Sequence, residues 1–327
     1  MTFDSDGAQA NSGQWSGQAN RDREGRTMSA GKPIVVGVDG SESSTAAVAW
    51  AARTAAMRKT PLVLVSVVHV PAYYYSEPYL ARGYGDDLKN AGRAHLDSAA
   101  VLAAQAVDGL APVDISTKLH EGQIAETLLQ YSDGATMIVL GSRGLGEFTG
   151  ALMGSVTVAV SSHSTAPVAV VRGRTLDGRP PTEGPVVVGV DGSEISEAAV
   201  GVAFEEAATR HATLVAVHVW SDVSVQPSLG ATADDPHWSG IQSFEEAVLS
   251  ERLAGWTERY PDVSVQRVVA RDRPVRVLSE YAERAQVLVV GSHGRGGFKG
   301  MLLGSTSNAL MRTADCPVLI VRPTDKA

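Results

Sequence analysis

One cysteine in 327 residues, Cys316, leaves no possibility of a disulfide framework. Placed in an apolar run beside Pro317, it reads as a small core residue of a protein kept in a reducing compartment. No stretch approaches the ~20 consecutive apolar residues that a membrane helix needs, and the N-terminus lacks the apolar core of a signal peptide. Positive charge is also scarce. Lys and Arg number 28 against 36 Asp and Glu, a formal net charge of -8, whereas a protein that grips a nucleic-acid backbone carries excess Lys and Arg to displace counterions. These shortages argue against nucleic acid, membrane and secretion, and make the cytoplasm the expected location.

What is present is enough apolar sequence for two cores: 44% hydrophobic and 20% charged residues over this length. Residues 1–31 stand apart, rich in Asn, Gln, Gly, Ser, Asp and Arg with Trp15 as their large anchor, and are expected to form a disordered tail. Met28, just before the first apolar strand, offers an alternative start. Beyond the tail the chain repeats itself. Pro33-Ile34-Val35-Val36-Gly37-Val38-Asp39-Gly40-Ser41-Glu42 returns as Pro185-Val186-Val187-Val188-Gly189-Val190-Asp191-Gly192-Ser193-Glu194. Leu64–Val70 is echoed by Leu214–Val219, and Leu140-Gly141-Ser142-Arg143-Gly144 by Val290-Gly291-Ser292-His293-Gly294, the pairs lying 149 to 152 residues apart. A period that long is a duplicated domain rather than a solenoid unit. The expected division is a first domain over 32–173, a linker over 174–184, a second domain over 185–323 and a short tail over 324–327.

Within the first copy, Ile34–Val38, Leu62–Val70, Ile115–Leu119, Met137–Leu140 and Val168–Val171 read as strands, because short continuous apolar runs suit a sheet covered on both faces. Ser44–Arg58, Asp87–Val107 and Gln123–Tyr131 read as helices between them. The alternation predicts βαβ crossovers and, in each copy, a five-stranded parallel sheet of a doubly wound α/β fold. The apolar final strands, Val168–Val171 and Val318–Val321, are hazards as open edges, so the copies are expected to pack edge to edge through them as an intrachain pseudo-dimer. Tyr73–Asp86 and Gln226–Gly240 show no helical or strand period and are candidate lids.

Ligands of such sheets sit beyond the carboxyl ends of the strands. There, after the fourth strand, the first copy has Gly141-Ser142-Arg143-Gly144, nine residues, then Gly154-Ser155; the second has Gly291-Ser292-His293-Gly294, nine residues, then Gly304-Ser305. The glycines are expected to admit positive φ and close backbone approach, and Ser155 and Ser305 to cap helices whose free N–H groups suit phosphate. Neither loop is Gly-x-x-x-x-Gly-Lys-Ser/Thr, nor Gly-x-Gly-x-x-Gly after a first strand.

Gly-two-Gly-nine-Gly-Ser, with Val-Asp-Gly-Ser closing the first strand and Val-His-Val the second, resembles the ATP-binding class of the universal stress protein family from about 32 to 322, twice. The resemblance implies strand order 3-2-1-4-5, and ATP as ligand. It implies Asp39 and Asp191 near sugar and base, Gly37 and Gly189 on the same floor, and Val70 and Val219 offering backbone to the adenine edge. The triphosphate would lie on Gly141, Ser142, Arg143, Gly144, Leu145, Gly146, Glu147, Gly154, Ser155 and Val156. In the second copy the same role falls to Gly291, Ser292, His293, Gly294, Arg295, Gly296, Gly297, Gly304, Ser305, Thr306 and Ser307. Asp222 would reach a ribose hydroxyl. The family also uses its last-strand edge for dimers, which allows a homodimer.

Plainer readings stand beside these. The glycines could simply turn the chain, Asp39 and Asp191 cap the next helix, His69 and His218 satisfy local hydrogen bonds, and Arg143 and Arg295 face solvent. Glu147 would repel phosphate unless a divalent cation such as magnesium intervened, so the second loop, with Arg295 and Lys299, is the better suited by charge. Neither loop pairs a base with charge stabilisation, so binding without efficient turnover is expected, in the role of a stress-response regulator. Two rivals remain: an adenylating or ATP-pyrophosphatase-like enzyme, since Val38-Asp39-Gly40-Ser41 is an incomplete Ser-Gly-Gly-x-Asp-Ser loop, and a nucleotide-free interaction module.

Overall fold

The computed structural model describes residues 31–69, 78–144, 153–172, 180–220, 236–294 and 303–322. The first copy runs β1 (Ile34–Gly37), α1 (Glu42–Arg58), β2 (Leu62–Val68), α2 (Pro78–Ala106), β3 (Ile115–Glu121), α3 (Ile124–Leu129), a 3-10 turn at Ser132–Gly134, β4 (Met137–Gly141), α4 (Ser155–His163) and β5 (Val168–Val171). The second runs β6 (Val186–Val190), α5 (Glu194–Arg210), β7 (Leu214–Trp220), α6 (Pro236–Arg259), β8 (Val265–Arg271), α7 (Pro274–Ala282), β9 (Val287–Gly291), α8 (Ser305–Thr313) and β10 (Val318–Val321).

The strands form one ten-stranded sheet ordered β3-β2-β1-β4-β5-β10-β9-β6-β7-β8, so each copy contributes the order 3-2-1-4-5. Pairing is parallel within each copy and antiparallel at the junction, where Val318 faces Val170, Leu319 faces Ala169 and Ile320 faces Val168. All eight residues of β5 and β10 are buried. The apolar edges that were a liability in the separate copies thus cover each other.

Both sheet faces are packed. On one, Ile34, Val36, Leu62, Leu64, Val186 and Val188 meet α1, α2, α5 and α6; on the other, Val35, Val65, Val187, Val215 and Val217 meet the shorter helices. Helices α1 and α5 start on Ser41 and Ser193, whose side chains accept from the N–H groups of Ser44 and Ser196. They end on Lys59 and His211 in the left-handed region, whose N–H groups reach back to the last carbonyls.

Two expectations change. Helix α2 begins at Pro78 and α6 at Pro236, so residues 78–86 and 236–240 of the candidate lids are helical; the other lid residues, 73–77 and 226–235, lie outside the described residues. Proline is tolerated in a first helical turn, and Gly83 and Gly85 had diluted the helical pattern. The echo between the second strands also shifts. Gly37 pairs with Val65 and Gly189 with Val217, which makes Ser66, not His69, the counterpart of His218.

Behind the junction, α1 and α5 share a buried ion cluster. The Glu206 carboxylate, 0% exposed, accepts from Arg58 Nη2 at 2.7 Å and from Arg210 Nε at 2.7 Å. Arg58 also reaches Glu205 at 2.6 Å, and Arg210 donates to Thr54 Oγ1 and Gln286 Oε1 and lies over the Trp50 ring. Burial alone would push the Glu206 carboxyl up, but the Arg210 and Arg58 guanidiniums outweigh it and hold it below the usual carboxylate range. Its contribution to stability is therefore fully present above the unfolded value of about 4.3 and is lost as pH falls through the lower folded value. Glu206→Ala leaves two guanidiniums facing each other in the interior and should destabilise by about 3–5 kcal/mol in urea unfolding at neutral pH. The difference from wild type should shrink progressively in acid below about pH 4; a deficit under ~1 kcal/mol at neutral pH would show that the cluster does not hold the copies together.

Candidate functional site

Strand order reverses between β1, which pairs with β2, and β4, which leads to β5. A crevice at the carboxyl ends of strands is the consequence of that reversal. In the first copy it is a cavity of about 750 Å³, bounded by the ends of β1, β2 and β4, the start of α4, and the α2 residues Leu88, Ala91, Gly92 and His95.

Asp39 organises the turn after β1. Its Oδ1 accepts from the N–H of Ser41 at 3.0 Å and from Ser41 Oγ at 2.7 Å, and Ser41 in turn caps α1. Asp39 is therefore not the helix cap; it holds the residue that is. Gly40 between them has φ of 84°, a conformation costly for any residue with a Cβ. Asp191 repeats the device, accepting from Ser193 N–H at 2.9 Å and Ser193 Oγ at 2.7 Å. Across the crevice, Ser43 Oγ donates to the carbonyl of Arg143 at 2.5 Å, stitching the start of α1 to the loop after β4.

The loop glycines divide by role. The described residues with positive φ do not include Gly141, Gly144, Gly154, Gly291, Gly294 or Gly304, so the expected left-handed turns are not made there; close approach is the requirement instead. A Cβ on Gly141 would lie 2.7 Å from the backbone of Ser43 and Ser44, and one on Gly144 2.7 Å from Asp39 Oδ2. Gly294 would meet Asp191 Oδ2 in the same way. Around Gly154 the nearest atoms are at 3.5 Å, ordinary contact.

The helix caps also differ from expectation. Gly154 and Gly304 occupy the N-cap positions of α4 and α8 with no side-chain cap bond, and Ser155 and Ser305 are the first helical residues. The chain enters each helix from an extended segment whose N–H, at Gly154 or Gly304, is bonded to the carbonyl of Ser142 or Ser292. That geometry puts the glycine one place ahead of the serine at the cap. First-turn N–H groups without a side-chain cap at the mouth of a cavity are suited to an anion.

In the first copy Gly37, Asp39, Gly141, Arg143, Gly144, Gly154, Ser155 and Val156 line the cavity. In the second, Gly189, Asp191, Val219, Gly291, His293, Gly294, Thr306 and Ser307 do so, around only about 120 Å³. Ser142 and Ser292 instead extend the sheet, donating to the carbonyls of Val171 and Val321. The Ser307 hydroxyl is engaged by the carbonyl of Gly291 at 2.6 Å, as that of Thr157 is by Gly141, so both are cross-ties of helix to strand. Val70, Leu145, Gly146, Glu147, Asp222, Arg295, Gly296 and Gly297 lie outside the described residues. His69 and His218 make local bonds, to the carbonyls of Gly122 and Val190.

Ser66, Gly92 and His95 had no signal in the sequence. His95 sits on a helix far from the motifs and reaches the cavity against Gly40, where an added Cβ would lie 2.5 Å from its Nε2. Among the described residues no group of three or more His, Cys, Asp or Glu is placed to hold a metal ion. No described helix is long and apolar enough to cross a membrane. Burial pushes the Cys316 thiol up to about 12, which makes it an inert core residue.

Comparison with known proteins matches the model of the universal stress protein family at residues 31–172 and 184–322. The universal stress protein Rv2005c of Mycobacterium tuberculosis is 43% identical over 289 residues, covering 88% of this chain and 96% of its own. Rv2623 of the same organism is 40% identical over 289 residues with the same coverage. A universal stress protein structure from Archaeoglobus fulgidus superposes with a TM-score of 0.65 at 18% identity, covering 90% of this chain and 97% of its own; at that identity it supports the fold alone.

The glycine roles separate in a stability measurement. Gly141→Ala forces a Cβ onto the α1 backbone and should lower stability by about 1–3 kcal/mol, whereas Gly154→Ala should cost about 1 kcal/mol or less, the difference between glycine and alanine at an N-cap. Denaturant unfolding of the two variants without ligand checks the order, and equal losses would refute the assignment.

Proposed function

The chain belongs to the universal stress protein family, and from that premise we propose that it is an ATP-binding regulator of the stress response that works by holding the nucleotide rather than turning it over efficiently. The observation that carries the reading is the 750 Å³ cavity joined to the uncapped start of α4. Its volume falls in the range of about 300–1,000 Å³ usual for small-ligand sites. The walls divide as a nucleotide would require. Val38, Val65, Val67, Leu128 and Leu140 offer an apolar slot for a base; Asp39 stands at the strand end, where a ribose hydroxyl would need an acceptor; and Gly144, Gly154, Ser155 and Val156 offer a cradle with backbone donors for phosphates.

The absence of side chains on Gly144 and Gly154 leaves that cradle open, and an added Cβ on Gly144 would fall against Asp39. Arg143, His95 and His69, the last just beyond β2, are the cationic or protonatable side chains among the lining residues. Efficient hydrolysis would need a positioned base for water together with charge stabilisation of the transferred group. Asp39, the lining carboxylate, has one oxygen engaged by Ser41, so it is suited to orient a sugar rather than to activate water. A regulator that senses occupancy in the cytoplasm is the role that fits such a site.

Calorimetric titration with ATP and magnesium should show saturable binding, with hydrolysis too slow to empty the site during the titration. Gly144→Ala and Asp39→Ala should each weaken binding by about 5- to 150-fold, corresponding to roughly 1–3 kcal/mol of lost contact. Wild-type protein that binds no nucleotide, or either variant binding as tightly as wild type, would overturn the reading. A burst of pyrophosphate with formation of an adenylate would move it to the enzyme class.

A further inference from the structure

Helix α2 is the wall of the first crevice that no motif announced. Its residues Leu88, Ala91, Gly92 and His95 face the cavity together, as side chains three, four and seven places apart do on one face of a helix. Leu96, Ala99 and Ala103 are buried beside that stripe and anchor the helix to the sheet. Gly92 sets how closely it approaches, because an added Cβ would lie 2.8 Å from Leu119 and 3.3 Å from Val68. One turn further on, the His95 ring is half-buried, with its Nε2 corner against Gly40. It makes no hydrogen bond with another described residue. The Ser66 hydroxyl lines the same cavity in the same condition, on a residue only 4% exposed. Polar groups withdrawn from water in this way are costly until something bonds to them, and here the cavity is what they face.

Under the nucleotide reading, base slot and phosphate cradle lie on the far side from α2. Val65, Leu128, Leu140 and Val156 pack on the face of the shorter helices, whereas Val38 and α2 belong to the face of α1. Asp39 stands between, with Oδ1 held by Ser41 and Oδ2 towards Gly144. Ribose joins base to phosphates, so its hydroxyl edge is the part of the ligand left to turn towards α2. A hydroxyl both donates and accepts, and each imidazole nitrogen does one or the other, so the two can pair whichever nitrogen carries the proton.

We infer that His95 hydrogen-bonds a ribose hydroxyl across from Asp39, so that the first copy selects ribonucleotides over deoxyribonucleotides. The inference rests on the nucleotide reading above and adds to it a residue that determines which sugar is accepted.

Calorimetry of the full chain with magnesium and ATP, 2′-deoxy-ATP or 3′-deoxy-ATP tests it. Wild type should bind at least one of the two analogues more weakly than ATP. His95→Ala should weaken ATP by about two- to tenfold, the effect of one lost hydrogen bond, and leave the affinity for that analogue unchanged. His95→Phe, which keeps a ring against Gly40 but offers no hydrogen bond, should lose the same preference. If two classes of site titrate, the change should be confined to the class that Gly144→Ala weakens. A loss falling equally on ATP and both analogues would make His95 a packing residue and overturn the inference. So would ATP binding untouched by His95→Ala, a preference for ATP kept in His95→Phe, or a wild type that holds all three ligands alike; in each case the nucleotide reading stands. No ATP binding in wild type fails that reading itself, and the inference with it. If one variant does not fold by circular dichroism, the other, compared with wild type, still decides.

Discussion

The antiparallel pairing of β5 with β10 is the constraint from which the rest of the architecture follows. Within each copy the strands run parallel, so all their carboxyl ends, and with them the ligand crevice, lie at one end of the sheet. Joining the copies antiparallel reverses that direction between them, and the two crevices consequently open at opposite ends of the ten-stranded sheet. The same pairing brings α1 and α5 together on one face, where Arg58 and Arg210 converge on Glu206. A buried carboxylate between two guanidiniums is costly unless all are in place, so the cluster favours this register over a shifted one. It differs from the sequence of either copy folded on itself: Thr54, not a carboxylate, stands at the place in α1 that corresponds to Glu206 in α5.

Around the crevice, small residues serve two purposes that look alike in sequence. Gly141 and Gly37 permit elements to touch: an added Cβ would meet the α1 backbone in one case and Leu140 in the other. Gly144 and Gly154 instead leave space at the mouth of the cavity. The serines divide similarly. Ser41 and Ser193 cap helices, Ser43 ties a helix to the opposite loop, and Ser142 and Ser292 lengthen the sheet by one hydrogen bond each. Only after these structural roles are assigned does a compact set remain for a ligand: Asp39, the loop backbone and the first turn of α4.

Duplication has left the copies unequal in the layer beneath α2 and α6. The second copy fills it with rings: Phe204, Trp256 and Tyr260 lie nearly parallel with centroids 5.9 to 6.4 Å apart, and Gly201 makes room for Trp256. In the first copy Ala52 stands at the place in α1 that corresponds to Phe204 in α5. Small residues let a helix approach a sheet closely at its middle, while Ser66 and Gly92 keep the end of the layer open. Larger residues in the second copy hold α6 against a core without that opening.

Much of this was legible in the chain itself. Continuous apolar runs such as Ile34–Gly37 and Met137–Gly141 specify buried parallel strands, and their recurrence specifies two like sets of strands; the apolar Val168–Val171 and Val318–Val321 point to the edges that must be covered. Hydrophobic period and turn chemistry are local, which is why the strands, the Asp-Gly-Ser turns and the loops after β4 and β9 could be read before the structure, whereas the strand order was implied by the family resemblance. Conformation and volume were not. Whether a glycine adopts positive φ, whether Gly154 or Ser155 caps α4, and whether Ser66 or His69 answers His218 depend on the path and register of the neighbouring chain. His95 enters the crevice only because α2 packs across β2. The sequence alone determined that there are two like domains with the same loops; the tertiary structure decided that they are unequal, because cavity volume is set by side chains from distant helices meeting strands, a long-range packing result that no local pattern encodes.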